Sequence, residues 1–127
     1  MKYVYPAIFH KENNSYWAEF PDLDGCQTYG ETLPQIVELA SEALGLYLAS
    51  RLDNNLEINA PSDIMGIETD KDSFVSYVAS DVLQYRNKTK AVKKTLTIPE
   101  WLNEEAEKRH INFSGVLQNA LIEHLKF

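Results

Sequence analysis

Acidic side chains with the chemistry to hold metal ions occur close together near the start of the chain. Glu19 ends an apolar run, and Asp22 and Asp24 follow shortly after it. Carboxylates grouped in this way can bind two metal ions that cleave a phosphodiester. However, both aspartates lie in the turn-forming run 21–25, where aspartate is common because it bonds to nearby backbone. We therefore favour the turn interpretation and assign no catalytic residue.

Histidine and cysteine are the other candidates for metal binding or nucleophilic catalysis. His10, His110 and His124 are too far apart in sequence to show the spacing of metal ligands. Cys26 has no histidine near it in sequence and resembles a small core residue. It is the only cysteine, so no internal disulfide can form, which favours a reducing cytoplasmic compartment. The sequence therefore predicts neither a metal site nor a cofactor.

A basic segment in the last third of the chain indicates a different chemistry. Residues 93–99, Lys-Lys-Thr-Leu-Thr-Ile-Pro, alternate polar and apolar side chains, as is typical of a strand with one buried face. A lone strand has an unpaired edge, so we predict that it pairs with its copy from a second chain, with Leu96 and Ile98 inward. Such a ribbon fits the DNA major groove. The predicted base contacts are the outward residues Lys93, Thr95 and Thr97.

Two short amphipathic helices are predicted after this strand. Pro99 ends the strand and opens the first helix, which extends to His110, and Ser114 caps the second. Helices this short are marginal in water, and about 36 residues rarely form a core alone, so dimerisation is expected. Free amides at Ser114 and Gly115 would bind a phosphate, and Lys94 adds charge. A helix-turn-helix would need a third helix and is less favoured.

Charge is divided unevenly along the chain. Residues 1–85 hold four basic and fourteen acidic residues, a net charge of −10, whereas residues 86–127 hold eight basic and five acidic residues, a net charge of +3. An acidic body is suited to a basic partner, and a basic tail is suited to an anionic one. A solvated linker that happens to be basic is the alternative interpretation of the cations in residues 86–98.

The first part of the chain predicts a small sheet with one helix across one face. Alternating and β-favouring residues predict strands at Lys2–His10, Ser15–Phe20, Cys26–Tyr29 and Phe74–Val82. A helix is expected from Leu33 to about Leu52, with Thr32 as its cap and Gln35 at the capping-box spacing. Both faces of the first strand are largely apolar, so we expect it to be covered on both sides or to lie centrally. No apolar stretch is long enough to span a bilayer.

Short motifs in this part of the chain resemble the HicB family of antitoxins. They are Tyr5-Pro6-Ala7, Phe20-Pro21-Asp22-Leu23-Asp24-Gly25-Cys26, Gly30-Glu31-Thr32 and Glu42-Ala43-Leu44. The resemblance implies an α+β chain with three parts: a partial ribonuclease H-like βββαβ domain without hydrolase activity (1–85), a basic linker (86–91) and a ribbon-helix-helix dimerisation module (92–127). It also implies a small basic HicA-type toxin that cleaves RNA. Toxin contacts are then expected at Glu19, Asp22 and Asp24.

The resemblance implies an antitoxin that inhibits this ribonuclease and, as a dimer, binds operator DNA to repress its own operon. Two-fold symmetry of the protein predicts a pseudo-palindromic operator. Self-association of the N-terminal domains would give a higher oligomer. The alternative is a DNA-binding regulator whose N-terminal domain senses another partner, with no toxin involved. A divergent nuclease is a third and less favoured interpretation.

Overall fold

The computed structural model describes residues 2–87 and 91–125 of the chain. The fold is a mixed α+β arrangement with a four-stranded sheet and three α-helices. It divides into two compact units, Met1–Lys90 and Ala91–Phe127. Lys88, Thr89 and Lys90 of the predicted basic linker lie outside the described residues.

A four-stranded antiparallel sheet forms most of the first unit. Its strands lie within two residues of the predicted bounds and are β1 (Lys2–Glu12), β2 (Ser15–Glu19), β3 (Gln27–Gly30) and β4 (Ser73–Asp81). The spatial order is β3-β2-β1-β4, which confirms the central position predicted for β1. The hairpin between β1 and β2 turns through Asn13 and Asn14, whose φ angles of 45° and 69° are left-handed values that asparagine tolerates.

One long helix, α1 (Leu33–Asp53), covers one face of this sheet. The Gln35 backbone N–H donates to Thr32 Oγ1 at 3.3 Å, and Gln35 Oε1 accepts from the Glu31 N–H at 2.6 Å. The predicted cap is therefore confirmed, although the returning side chain bonds to the amide before the cap residue. The core between helix and sheet includes Tyr5, Ala7, Phe9, Ala18, Ile36, Ala40, Leu44, Leu48 and Val82.

The end of the first unit is tied to α1. A 3-10 turn at Val82–Tyr85 follows β4, and the Tyr85 ring lies against Gly45, where any added Cβ would overlap it. Asp53, whose side chain is 8% exposed, accepts from Arg86 Nε at 2.5 Å and from the Asn87 N–H at 2.8 Å. These contacts hold residues 82–87 against the carboxyl-terminal half of the helix.

The second unit contains two helices, α2 (Glu100–Lys108) and α3 (Phe113–Leu125). Residues 91–99 belong to neither helix nor strand, and the strand predicted there requires pairing with a second chain, so it stays a prediction. Pro99 precedes α2 instead of opening it, and its carbonyl accepts from the Leu102 and Asn103 N–H groups, both at 3.1 Å. The helix begins one residue later than predicted.

Apolar side chains of the second unit are exposed. None of its described residues, 91–125, is buried, whereas the first unit has a continuous core. The large exposed side chains are Val92, Leu96, Ile98, Trp101, Leu102, Ile111, Phe113, Val116, Leu121, Ile122 and Leu125. The two short helices therefore bury too little surface against each other to account for their own stability.

Across residues 2–87 and 91–125, no helix combines the length and apolarity needed to cross a membrane.

Candidate functional site

The segment from Phe20 to Cys26 forms a closed loop with its apolar side chains inside. Phe20, Leu23 and Cys26 are all at most 5% exposed. The Phe20 N–H donates to the Cys26 carbonyl at 3.1 Å, and the Leu23 and Cys26 amides close the loop with bonds of 3.0 and 3.1 Å. Gly25 has φ 79°, a value that favours glycine. The spacing of this motif therefore builds a loop on the core.

Asp22 is held by contacts with a distant loop. Its carboxylate accepts from the Ser62 N–H at 2.8 Å and from the Ser62 hydroxyl, and its backbone carbonyl accepts from Asn59 Nδ2 at 3.0 Å. The Tyr5 hydroxyl donates to the Asn59 carbonyl at 2.6 Å. Burial raises the pKa of Tyr5, and the charges of Tyr3 and Asp22 raise it further. Asp22 therefore stabilises the fold by fixing residues 59–62 against the Phe20–Cys26 loop.

The structure places the other two predicted toxin contacts in different settings. Glu19 is the last residue of β2, and its register with Ile8 of β1 puts its side chain on the sheet face opposite α1. Asp24 is exposed in the Phe20–Cys26 loop. Of the three acids, Asp22 is engaged within the fold, whereas Asp24 is exposed in the loop and Glu19 lies on the sheet face opposite α1.

The sheet face opposite α1 carries a row of three aromatic rings that sequence reasoning did not predict. His10 pairs with Trp17, and Trp17 pairs with Tyr29, across three neighbouring strands. The His10 and Trp17 ring centroids are 4.0 Å apart with an interplanar angle of 13°, and those of Trp17 and Tyr29 are 6.2 Å apart at 24°. Tyr29 is 66% exposed. We call His10, Trp17 and Tyr29 the aromatic row.

Glu19 lies beside this row. Its Oε1 atom is 3.9 Å from His10 Nε2, and its side chain is 36% exposed. His10 Nε2 is buried and has no hydrogen-bond partner in the described part of the chain. The signal for this site in the sequence is the alternation of β1 and β2, which puts His10, Trp17 and Glu19 on one face once the hairpin register is known.

Cys26 behaves as a core residue, as the sequence predicts. It is 5% exposed, and its thiol donates to the Ala43 carbonyl across 3.7 Å. Burial raises the pKa of the Cys26 thiol to about 11, so little thiolate forms near neutral pH. Within residues 2–87 and 91–125, no three His, Cys, Asp or Glu side chains are grouped closely enough to hold a metal ion.

The predicted DNA contacts lie in two segments of the second unit. Lys93, Lys94, Thr95 and Thr97 are all exposed in residues 91–99. Ser114 and Gly115 are in the first turn of α3, which begins at Phe113. The four residues of the first segment are thus accessible to a ligand.

The predicted cap of α3 is wrong. Asn112 Oδ1 accepts from the Gly115 N–H at 3.1 Å, and the Asn112 carbonyl accepts from the Val116 N–H at 3.0 Å, so Asn112 is the cap and Ser114 lies inside the helix. The Gly115 amide is therefore already bonded and is not free to bind a phosphate, contrary to the prediction. Asparagine and serine cap helices about equally well, and the local pattern did not distinguish positions 112 and 114.

Comparison with known families identifies the chain. A family model described as a HicB-like antitoxin of bacterial toxin–antitoxin systems matches residues 5–121. The chain belongs to this family. The Phe20–Cys26 motif, which suggested this family from the sequence alone, therefore has a structural role in this HicB-like antitoxin.

Solved structures and one curated protein are similar to this HicB-like antitoxin. A chain of a toxin–antitoxin complex from Streptococcus pneumoniae is 30% identical, with a TM-score of 0.64, and the match covers 98% of this chain and 99% of that one. A chain of a complex described as HicA3 and HicB3 is 24% identical, with a TM-score of 0.53 over 62% of this chain and 99% of that one, and supports the fold alone. An uncharacterized 14.9 kDa protein of Haemophilus phage HP1 (strain HP1c1), from the rep-hol intergenic region, is 28% identical over 78% of this chain and 75% of its own length.

Proposed function

We propose that the first unit of this HicB-like antitoxin binds and inhibits a small basic ribonuclease of the HicA type. The similar chain from Streptococcus pneumoniae belongs to a structure described as a toxin–antitoxin complex. Residues 1–85 carry a net charge of −10, from fourteen acidic and four basic residues. Complementary charge speeds the capture of a basic partner and disfavours other partners. The first unit acts by binding, and we expect no hydrolase activity from it.

We infer that the second unit is a ribbon-helix-helix module that dimerises and binds operator DNA. The observation that carries this inference is the exposure of its apolar residues: no described residue in 91–125 is buried, and Leu96 and Ile98 are 55% and 47% exposed. A second copy would cover these side chains and pair residues 93–98 as an antiparallel ribbon. Repression of the toxin–antitoxin operon would follow from occupation of a two-fold operator.

The outward side of that ribbon would contact DNA. Lys93, Thr95 and Thr97 alternate with the apolar positions and would face the base edges of the major groove. Lys94 would neutralise a phosphate, and so would Ser114 at the start of α3, through its amide or hydroxyl. Each phosphate contact adds about one unit to the slope of log affinity against log salt concentration.

A double substitution tests this division of roles. Lys93→Ala combined with Thr95→Ala is expected to abolish retention of operator DNA in a gel shift, while binding of the toxin encoded beside this chain persists in a pull-down. A matched control is Lys2→Ala with Thr28→Ala, which removes the same two residue types from the first unit and should leave DNA binding unchanged. Loss of both activities in the first variant would refute the assignment of separate roles to the two units.

A further inference from the structure

The aromatic row lies on a part of the sheet that the fold leaves open. The residues 59–67 reach the same sheet at Tyr77, whose hydroxyl accepts from the Ile64 N–H at 3.3 Å. Tyr77 pairs with Pro6, four residues along β1 from His10, a separation of about 13 Å along a strand. Pro6 is buried, whereas Tyr29 in the row is two-thirds exposed, and His10 and Trp17 are partly exposed beside it. The Tyr29 end of the row is therefore available to another molecule.

The chemistry of the row fits a positively charged side chain. The faces of tryptophan and tyrosine rings attract cations, arginine more often than lysine. The Glu19 carboxylate lies on the same sheet face as the row and 3.9 Å from His10. Glu12 shares that face, since it follows His10 by two residues in β1. The exposed Tyr29 ring at the end of the row would hold a guanidinium or ammonium group by stacking, and the carboxylates of the same face would attract it by charge.

A recess on the opposite side of the sheet is less acidic than the face that carries the row. This recess of about 320 Å³ lies at the same end of the sheet, on the side of α1, and is lined by Lys11, Lys71 and Asp72, with Tyr16 and Phe74 among others. Its charged side chains are two cations and one anion, whereas two carboxylates, Glu12 and Glu19, lie on the face of the row. A basic partner is therefore attracted more strongly to the face with Glu12 and Glu19.

We propose that the aromatic row, together with Glu19 and Glu12, is the surface on which an arginine or lysine of the basic toxin docks. This inference rests on the proposed function of the first unit and gives it a location. On this proposal Asp22 is not a direct toxin contact, because its carboxylate is bonded to Ser62. Of the remaining two acids, Glu19 is a contact and Asp24, in the Phe20–Cys26 loop, is not. The toxin would approach the sheet and not the loop.

Two pairs of substitutions in the full-length chain test this surface. Glu19→Gln removes charge from the row with almost no change of shape, and Asp24→Asn makes the same change in the loop. Tyr29→Ser removes the most exposed ring of the row, and Tyr77→Ser removes a half-exposed ring from the same face outside the row. The probe is the small basic protein encoded beside this chain, and its affinity is measured by surface plasmon resonance at 50 and 200 mM salt. Melting followed by circular dichroism checks that each variant is folded.

We expect Glu19→Gln and Tyr29→Ser each to weaken binding by about 5- to 30-fold, and Glu19→Gln also to reduce the salt dependence. Asp24→Asn and Tyr77→Ser should stay within about twofold of the wild type. If Glu19→Gln and Tyr29→Ser both bound the toxin as tightly as the wild type, this inference would be overturned while the proposed function would stand. An Asp24→Asn variant that lost as much affinity as Glu19→Gln would have the same consequence. A change in self-association instead of toxin affinity in Tyr29→Ser would also overturn it. A wild-type chain that did not bind the toxin would refute the proposed function and this inference with it.

Discussion

The cap of α3 provides a quantitative test of the second unit. Asn112 Oδ1 accepts from the Gly115 N–H at 3.1 Å, and alanine at this position has no acceptor for that amide. An added Cβ on Gly115 would lie 2.9 Å from Asn112 Nδ2, so the cap side chain is packed closely over the first turn. Asn112→Ala is therefore expected to destabilise α3 by about 1 kcal/mol per chain.

The effect doubles if the unit folds only as a dimer. Two lost caps cost about 2 kcal/mol per dimer, which raises the dissociation constant of the dimer by about 30-fold at 25 °C. Ser114→Ala is the matched control, because Ser114 lies inside the helix, where alanine is the better helix former by a few tenths of a kcal/mol. This control should dimerise as well as the wild type, and any loss it shows in operator affinity would come from a phosphate contact.

Sedimentation equilibrium of the full-length variants over a range of concentrations measures the dimer constants, and a gel shift measures operator affinity. The expected result is weaker dimerisation in Asn112→Ala and unchanged dimerisation in Ser114→Ala. The cap assignment would be refuted if the two variants dimerised equally, or if Ser114→Ala were the weaker one. The coupling of folding to dimerisation would be refuted if Asn112→Ala lowered helix content without any shift in the dimer constant.

Three further predictions concern other parts of the chain. Leu96→Asp should make the chain monomeric in sedimentation. Met65→Asp, at an 87% exposed position of the first unit, is the control and should remain dimeric. A dimeric Leu96→Asp chain would contradict the proposed ribbon. Gly45→Ala should lower the free energy of unfolding, measured in urea, by about 1–2 kcal/mol, because the added Cβ would overlap Tyr85 and lie 2.6 Å from Ser80 Oγ. Gly66→Ala is the control and should leave stability unchanged, because its Cβ would meet no atom within 4 Å. Folding raises the pKa of the Cys26 thiol from 9.0 to about 11. The unfolded chain therefore loses this proton first, and stability falls as pH rises across that interval, by on the order of 2–3 kcal/mol. A Cys26→Ala chain with the same slope of stability against pH would contradict this cause.

Local patterns in the sequence predicted most of the first unit. The strands were found because alternation and β-branched or aromatic residues act over short distances, and α1 was found because Thr32 and Gln35 have the capping-box spacing. The cap of α3 was placed wrongly because Asn112 and Ser114 are both good caps, and only the backbone path distinguishes them. The predicted strand at 93–98 would pair with a second chain, so the structure of one chain does not test it.

The candidate site was less predictable because its residues are brought together by distant pairing. The carboxylate of Asp22 looked available in the sequence, but its partner Ser62 is 40 residues away. The aromatic row requires the register of three strands before His10, Trp17 and Tyr29 become neighbours. Glu19 was named from the sequence for its charge, and the structure places it on the sheet face opposite α1, apart from Asp22 and Asp24 in the Phe20–Cys26 loop.

The two units differ in how much of their stability is internal, and this difference bears on how the two proposed activities depend on concentration. The first unit has a core of fully buried side chains such as Phe9, Ile36 and Leu44, so its surface is formed in a single chain. The second unit buries none of its described residues, so the DNA-binding form that we propose for it would require a partner copy and would follow mass action. As the concentration of the chain falls below the dimer dissociation constant, operator binding by the proposed dimer should therefore fall more steeply than the binding of toxin by a single chain, because dimer concentration varies with the square of monomer concentration.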